Sequence, residues 1–176
     1  CDGFFFKNKN VVVVGGGNTA TEEALYLSRL ASSVTLVHRG GRLRAEKVLQ
    51  QKLFESKNIR VIWNHVIDAV LGSENPKIVT SVRLRDVRTQ EIQSVPTDGV
   101  FVAIGHDPAT EPFKDKVDVD PDGYIKTRPG STKTSVPGVF AAGDVADRVF
   151  RQAVTAAGMG CMAALEGEKF LTDSGS

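Results

Sequence analysis

The chain has 176 residues, 41% of them hydrophobic and 24% charged, with 22 Lys and Arg against 21 Asp and Glu. That is the balance of an ordinary globular protein, and the near-zero net charge speaks against a nucleic-acid footprint or a basic membrane-binding tail. No apolar run approaches the roughly 20 residues of a membrane span, no signal peptide is visible, and two distant cysteines, Cys1 and Cys161, exclude a disulfide framework and favour a reducing, cytoplasmic setting.

The chain opens on Cys1 rather than Met and reaches a β run within ten residues, an opening expected of a piece of something longer. Asn10 to Val14 is a β-branched run closed by Gly15-Gly16-Gly17, which reads as a buried parallel strand entering a turn. Asn18 to Leu30 has helical spacing, with Ala20, Ala24, Leu27 and Leu30 on one face. Val34 to Val37 is a second β run, so the first 38 residues form one βαβ unit. Ala45 to Glu55 predicts another amphipathic helix, and Ile59 to Trp63 another short strand. Val66 to Leu71, Ile78 to Asp86 and Glu91 to Val95 are short runs with polar breaks, an antiparallel meander. Gly99 to Ile104 returns to a continuous apolar strand. Residues 109 to 136 form a polar excursion with one short strand near Tyr124-Ile125. Gly138 to Ala142 predicts a strand, Gly143-Asp144 a turn, and Gln152 to Leu171 a helix rich in small residues. Cys161, between Gly160 and Met162 on that helix, reads as a small core residue.

Four constellations carry chemistry. Gly15-Gly16-Gly17-Asn18-Thr19-Ala20 fits G-x-G-x-x-A between a strand and a helix. Gly15 permits the tight turn, Gly17 the close approach of a diphosphate, and Ala20 tight helix–strand packing, while the helix N-terminus aims its amides at the anion. The plain alternative is a structural turn with incidental glycines. After the second strand come His38, Arg39, Arg42 and Arg44, with no acid before Glu46. An acid there would hold an NAD ribose hydroxyl, whereas arginines grip a 2′-phosphate with charge-assisted hydrogen bonds, so NADPH is expected over NADH. The plain alternative is a solvated basic loop. Gly138 to Val145 ends a small-residue strand in Gly143-Asp144, where an Asp could accept from a ribityl hydroxyl, and Arg151-Gln152-Ala153 follow at a helix N-terminus suited to a pyrophosphate. A capped structural turn is the alternative. Cys1-Asp2 could be the second half of a C-x-x-C redox pair. His38, His65 and His106 are too dispersed for a metal site, and His65 reads as structural.

Cys1-Asp2-Gly3-Phe4-Phe5, the glycine turn, Glu22 to Leu27, Val37-His38-Arg39, Arg44 to Lys47, Phe101 to His106, Gly138 to Val145, Arg151-Gln152-Ala153 and Gly160 to Ala164 together resemble the bacterial-type, low-molecular-weight thioredoxin reductases over nearly the whole chain. The resemblance implies an α/β fold. Residues 1–104 would be a three-layer Rossmann-like NADPH-binding domain, a parallel sheet with an antiparallel meander. Residues 105–176 would be the C-terminal segment of an FAD-binding domain whose N-terminal segment is absent from this chain.

It implies the flavin-proximal redox cysteine at Cys1 and the dithiol-protonating acid at Asp2. The NADPH diphosphate turn falls at Gly15, Gly17, Asn18, Thr19 and Ala20, and the 2′-phosphate site at His38, Arg39 and Arg44. Flavin contacts fall at Asp144, beside Gly143, and at Arg151, Gln152 and Ala153. The family's His-Arg-Arg-x-x-x-Arg here has Gly40 for its second arginine, and Arg42 stands two positions on as a substitute. The implied protein is a homodimer in which electrons run from NADPH through FAD to a Cys-x-x-Cys pair and on to thioredoxin. Two other readings stand beside it. One is the flavoprotein subunit of alkyl hydroperoxide reductase, whose second strand is expected to end in an acid. The other is a non-catalytic NADPH-binding fragment.

Overall fold

The structure is a computed structural model describing residues 2–175. It divides into two compact units, Cys1–Gly105 and His106–Ser176.

The first unit begins with a 3-10 turn, Asp2–Phe6. Its strands and helices are β1 (Asn10–Gly15), α1 (Asn18–Leu27), β2 (Ser33–His38), α2 (Lys47–Glu55), β3 (Ile59–Trp63), β4 (His65–Glu74), β5 (Lys77–Asp86), β6 (Ile92–Pro96) and β7 (Gly99–Ala103). Four strands form a parallel sheet in the order β3-β2-β1-β7, and three form an antiparallel sheet in the order β4-β5-β6. The valine run of β1 explains the layering. A strand turns alternate side chains to opposite faces, so an unbroken apolar run needs cover on both. Val11 and Val13 pack with Ala20, Ala24 and Leu27 of α1, Leu36 of β2 and Leu53 of α2. Val12 packs with Val37, Val82, Leu84 and Val95 against the meander. The result is the expected three layers: helices, parallel sheet, meander.

In the helices of the first unit, two boundaries differ from the sequence reading for local reasons. α1 stops at Leu27 rather than Leu30, where the Ser28 hydroxyl turns back onto the Leu25 carbonyl at 2.8 Å and the Asn58 amide takes the Ser28 carbonyl at 2.8 Å. α2 starts at Lys47 rather than Ala45, because Glu46 is extended and its N–H donates to Asn18 Oδ1 at 2.8 Å.

The second unit contains 3-10 turns at Glu111–Phe113 and Gly143–Val145 and a long helix, α3 (Ala153–Asp173). The strand expected over Gly138 to Ala142 is not formed. Only a single bridge, Lys133 to Phe140, marks it, and Gly138 has a φ of 80°, outside strand geometry. The expected strand near Tyr124-Ile125 is likewise one bridge, Val119 to Ile125. α3 buries none of its residues, and Cys161 is exposed rather than in a core. No helix among the described residues is long and apolar enough to cross a membrane.

Candidate functional site

The topology locates the site before any side chain is considered. From β1 the chain runs outward to β2 and β3, then returns to the other side of β1 as β7. Ligands of open α/β sheets bind at such a reversal, beyond the carboxyl ends of the strands. Here those ends are Gly15 and Ala103, paired in register. A cleft of about 430 Å³ opens there, and its walls include the glycine turn, His38, Arg39, Arg44, His65 and Gly105.

The turn is built around atoms that exclude side chains. Gly15 has a φ of 153°, and a Cβ there would overlap the Ala103 carbonyl oxygen and lie 2.5 Å from the Ala20 Cβ. Ala20 is accordingly fully buried at the start of α1. Gly16, not singled out by the fingerprint, is equally constrained: a Cβ would run into the His38 imidazole, 2.8 Å from its Cγ. Gly17 is the open position, with no atom within 4 Å of a Cβ, so it faces free space. Immediately after it, the amides of Asn18, Thr19 and Ala20 begin α1, where no carbonyl lies one turn behind to accept them. A bare backbone, free space and unpaired donors together make an anion cradle.

Three ties bind the turn to the last residue of β2 and the segment that follows it. His38 Nδ1 donates to the Gly15 carbonyl at 3.1 Å, the Arg44 N–H donates to the Gly16 carbonyl at 2.7 Å, and the Asn18 amide donates to Glu46 Oε1 at 3.1 Å. Asn18 thus holds Glu46 through both ends of its side-chain amide. Glu46 was visible in the sequence only as the first acid after the arginines; its partner 28 residues away gives no local signal. His65, expected to be structural, has both ring nitrogens engaged: its Nδ1 donates to the Trp63 carbonyl at 2.6 Å, and its Nε2 accepts from the Gln93 amide at 2.7 Å.

The arginines divide. Arg39, Arg42 and Arg44 are all exposed, but only Arg39 and Arg44 line the cleft. Among the described residues none of the three pairs with a carboxylate. His38, expected beside them, is turned inward and is 7% exposed.

The comparisons with known proteins agree with this geometry. Residues 1–160 match the model of the pyridine nucleotide-disulphide oxidoreductase family. The chain belongs to that family. Among curated members, it is 61% identical to the thioredoxin reductase of Rickettsia felis over 171 residues, 97% of this chain and 55% of that protein. With the thioredoxin reductase of Coxiella burnetii it shares 53% identity, again over 97% of this chain and 55% of the relative. The solved thioredoxin reductase of Streptococcus pyogenes superposes with a TM-score of 0.87 at 38% identity, covering 98% of this chain and 56% of that one. The chain therefore spans about half the length of the curated relatives it matches. The resemblance to bacterial thioredoxin reductases that the motifs carried is thus found independently in sequence and in fold.

Cys1 lies outside the described residues. Asp2 is exposed at the start of the first 3-10 turn. In the second unit Asp144 is exposed within the Gly143–Val145 turn, Gln152 caps α3, and Ala153 is that helix's first residue. Arg151 has a φ of 49°, and its guanidinium donates to the Tyr124 hydroxyl at 3.2 Å. This strained residue is held from below by Asp147, which accepts the N–H groups of Val149, Phe150 and Arg151, each at 2.9 Å. The Phe150 bond first, then those of Arg151 and Val149, keep the Asp147 carboxyl below the usual carboxylate range against the opposing cost of desolvation. Asp147 escaped the sequence reading because its role lies in loop geometry. Arg151 faces a second cleft, about 380 Å³, whose lining does not include Asp144.

Proposed function

We propose that residues 1–104 bind NADPH and that the intact protein is an NADPH-dependent flavoprotein disulfide reductase acting on thioredoxin. One observation carries the reading: an amide-lined, side-chain-free turn faces the same cleft as two arginines without carboxylate partners. The diphosphate would sit on the amides of Gly17 to Ala20. The 2′-phosphate would be held by Arg39 and Arg44, with Arg42 reaching from outside the cleft in place of the arginine that Gly40 lacks. Guanidinium forks suit that group, and a hydroxyl alone would leave them unpaired. When bound, the nicotinamide supplies an electron pair as hydride, which the chain orients but does not itself carry.

The second unit, residues 105–176, is read as the C-terminal segment of the FAD-binding domain. Its Gly143-Asp144 turn would hold the ribityl chain, and the α3 N-terminus at Arg151, Gln152 and Ala153 the pyrophosphate. Cys1 is read as one cysteine of the redox pair and Asp2 as its proton donor. Thioredoxin as disulfide substrate is read from the relatives' names, and a dimeric intact protein from the family resemblance alone.

Trp63 is the sole tryptophan and lies 6.2 Å, ring to ring, from His38 at the cleft. Its fluorescence is the test. NADPH should quench it saturably, and NADH should bind at least about tenfold more weakly, the loss of one charge-assisted contact. Binding of neither nucleotide, or a preference for NADH, overturns the assignment, and the latter points to the hydroperoxide reductase reading.

A further inference from the structure

His38 does not stand out with the arginines. Its ring lies edge-on to Trp63 at an interplanar angle of 81°, fills the space above Gly16, and bonds through Nδ1 to the Gly15 carbonyl at 3.1 Å. A carbonyl oxygen only accepts, so Nδ1 must carry the ring proton. Three consecutive glycines are the backbone that loses most freedom on ordering, and the turn needs external fixing to hold amides toward a ligand. The Arg44 and Asn18 ties fix its far side. His38 alone fixes Gly15 among the described side chains.

The structure assigns His38 a positioning role in dinucleotide binding: its Nδ1–H and its ring hold the Gly15-Gly16 backbone in the shape a diphosphate needs, and it is not itself a ligand of the 2′-phosphate. The inference rests on the cleft being a dinucleotide site. It also explains why position 16 is glycine, since any side chain would displace the imidazole.

Two isosteres separate the roles. Asn places an amide nitrogen near where Nδ1 stands; Gln places one near Nε2. In the full chain, His38→Asn should keep affinity for both NADPH and NADH within about threefold. His38→Gln should weaken both by about tenfold, leaving their ratio unchanged. The reverse pattern, Gln retaining NADPH while Asn loses NADPH alone, would make His38 a phosphate ligand and overturn the assignment. So would two variants that both bind like the wild type.

A double-mutant cycle gives an independent reading. Gly16→Ala should cost much less affinity when His38 is Ala than when it is His, and equal costs in both backgrounds would count against the brace. Nitrogen-15 NMR of the ligand-free chain needs no nucleotide at all. The His38 ring should be the Nδ1–H tautomer, and an Nε2–H ring overturns the proposal. Failure of the wild type to bind either nucleotide would instead sink the dinucleotide reading, with the tautomer still deciding the brace.

Discussion

The two units are held together by different physics. In the first, apolar side chains fill both faces of a parallel sheet: Leu27, Leu36, Leu53, Leu84 and six valines are buried to below 2% exposure. In the second, the buried apolar residues are Tyr124, Ile125 and Ala141, and carboxylates take over. Asp120 accepts the N–H groups of Asp122 and Tyr124, Asp147 gathers the loop before α3, and Glu166 ties α3 to Ser131 and Thr132. Burial of hydrocarbon resists acid and responds to lost volume. Carboxylate clamps tolerate small volume changes and respond to protons.

The sharpest way to break this contrast is to remove a large side chain from each unit. Leu36→Ala in the first should cost about 2–5 kcal/mol, since both neighbouring strands and α1 hold the cavity open. Ile125→Ala in the second should cost clearly less. Denaturant unfolding followed by Trp63 reads the first, and amide exchange over residues 119–145 reads the second. Equal costs would mean that the second unit has an apolar core comparable to the first.

A smaller effect comes from ligand. NADPH at about 100 times its dissociation constant should stabilise the first unit by roughly 2.7 kcal/mol and leave exchange in residues 106–175 unchanged. Arg39→Ala should remove much of that gain for NADPH and none for NADH. If NADPH protects both units equally, the energetic separation fails. If Arg39→Ala affects the two nucleotides alike, Arg39 is not reading the extra phosphate.

What could be read in advance follows the same division. The βαβ unit, the three layers and the glycine turn are local signals: an apolar run, a helical period, residues without side chains. They are legible because hydrocarbon burial dictates them position by position. The ties among His38, Gly15, Asn18 and Glu46 span 23 to 28 residues, and nothing in a local pattern announces them. The arginines were legible as a cluster, but not that Arg42 would lie outside the cleft lining. In the second unit, residue type misled. Cys161 looks like core because it is small and flanked by Gly160 and Met162, yet burial depends on what packs against α3, and that helix buries nothing. Gly138 to Ala142 reads as a strand by composition, but a strand needs a neighbouring ladder, and only one bridge is made.

The least of the expected effects tests the polar half directly. Glu166 accepts from the Ser131 hydroxyl at 2.5 Å, the Thr132 hydroxyl at 2.6 Å and the Thr132 N–H at 2.8 Å. Those donors, Ser131 first, lower its pKa from the ordinary 4.5 to about 2. The folded unit therefore releases the proton more readily than the unfolded chain, so the clamp contributes fully above pH 4.5 and is lost as the pH falls toward 2. Solvent reaches this carboxylate, which keeps the effect below that of a core truncation. Glu166→Gln turns one acceptor into a donor facing hydroxyls and an amide, and should lower the melting midpoint of the second unit at pH 6. Between pH 6 and pH 3 the wild type should lose more of that midpoint than the variant, because the variant has no proton to gain there. The Thr132 amide proton, followed by NMR, should shift in the wild type with a midpoint near 2. A parallel decline of wild type and variant, with a Thr132 shift centred at 4.5, would show that α3 is held by something other than this carboxylate.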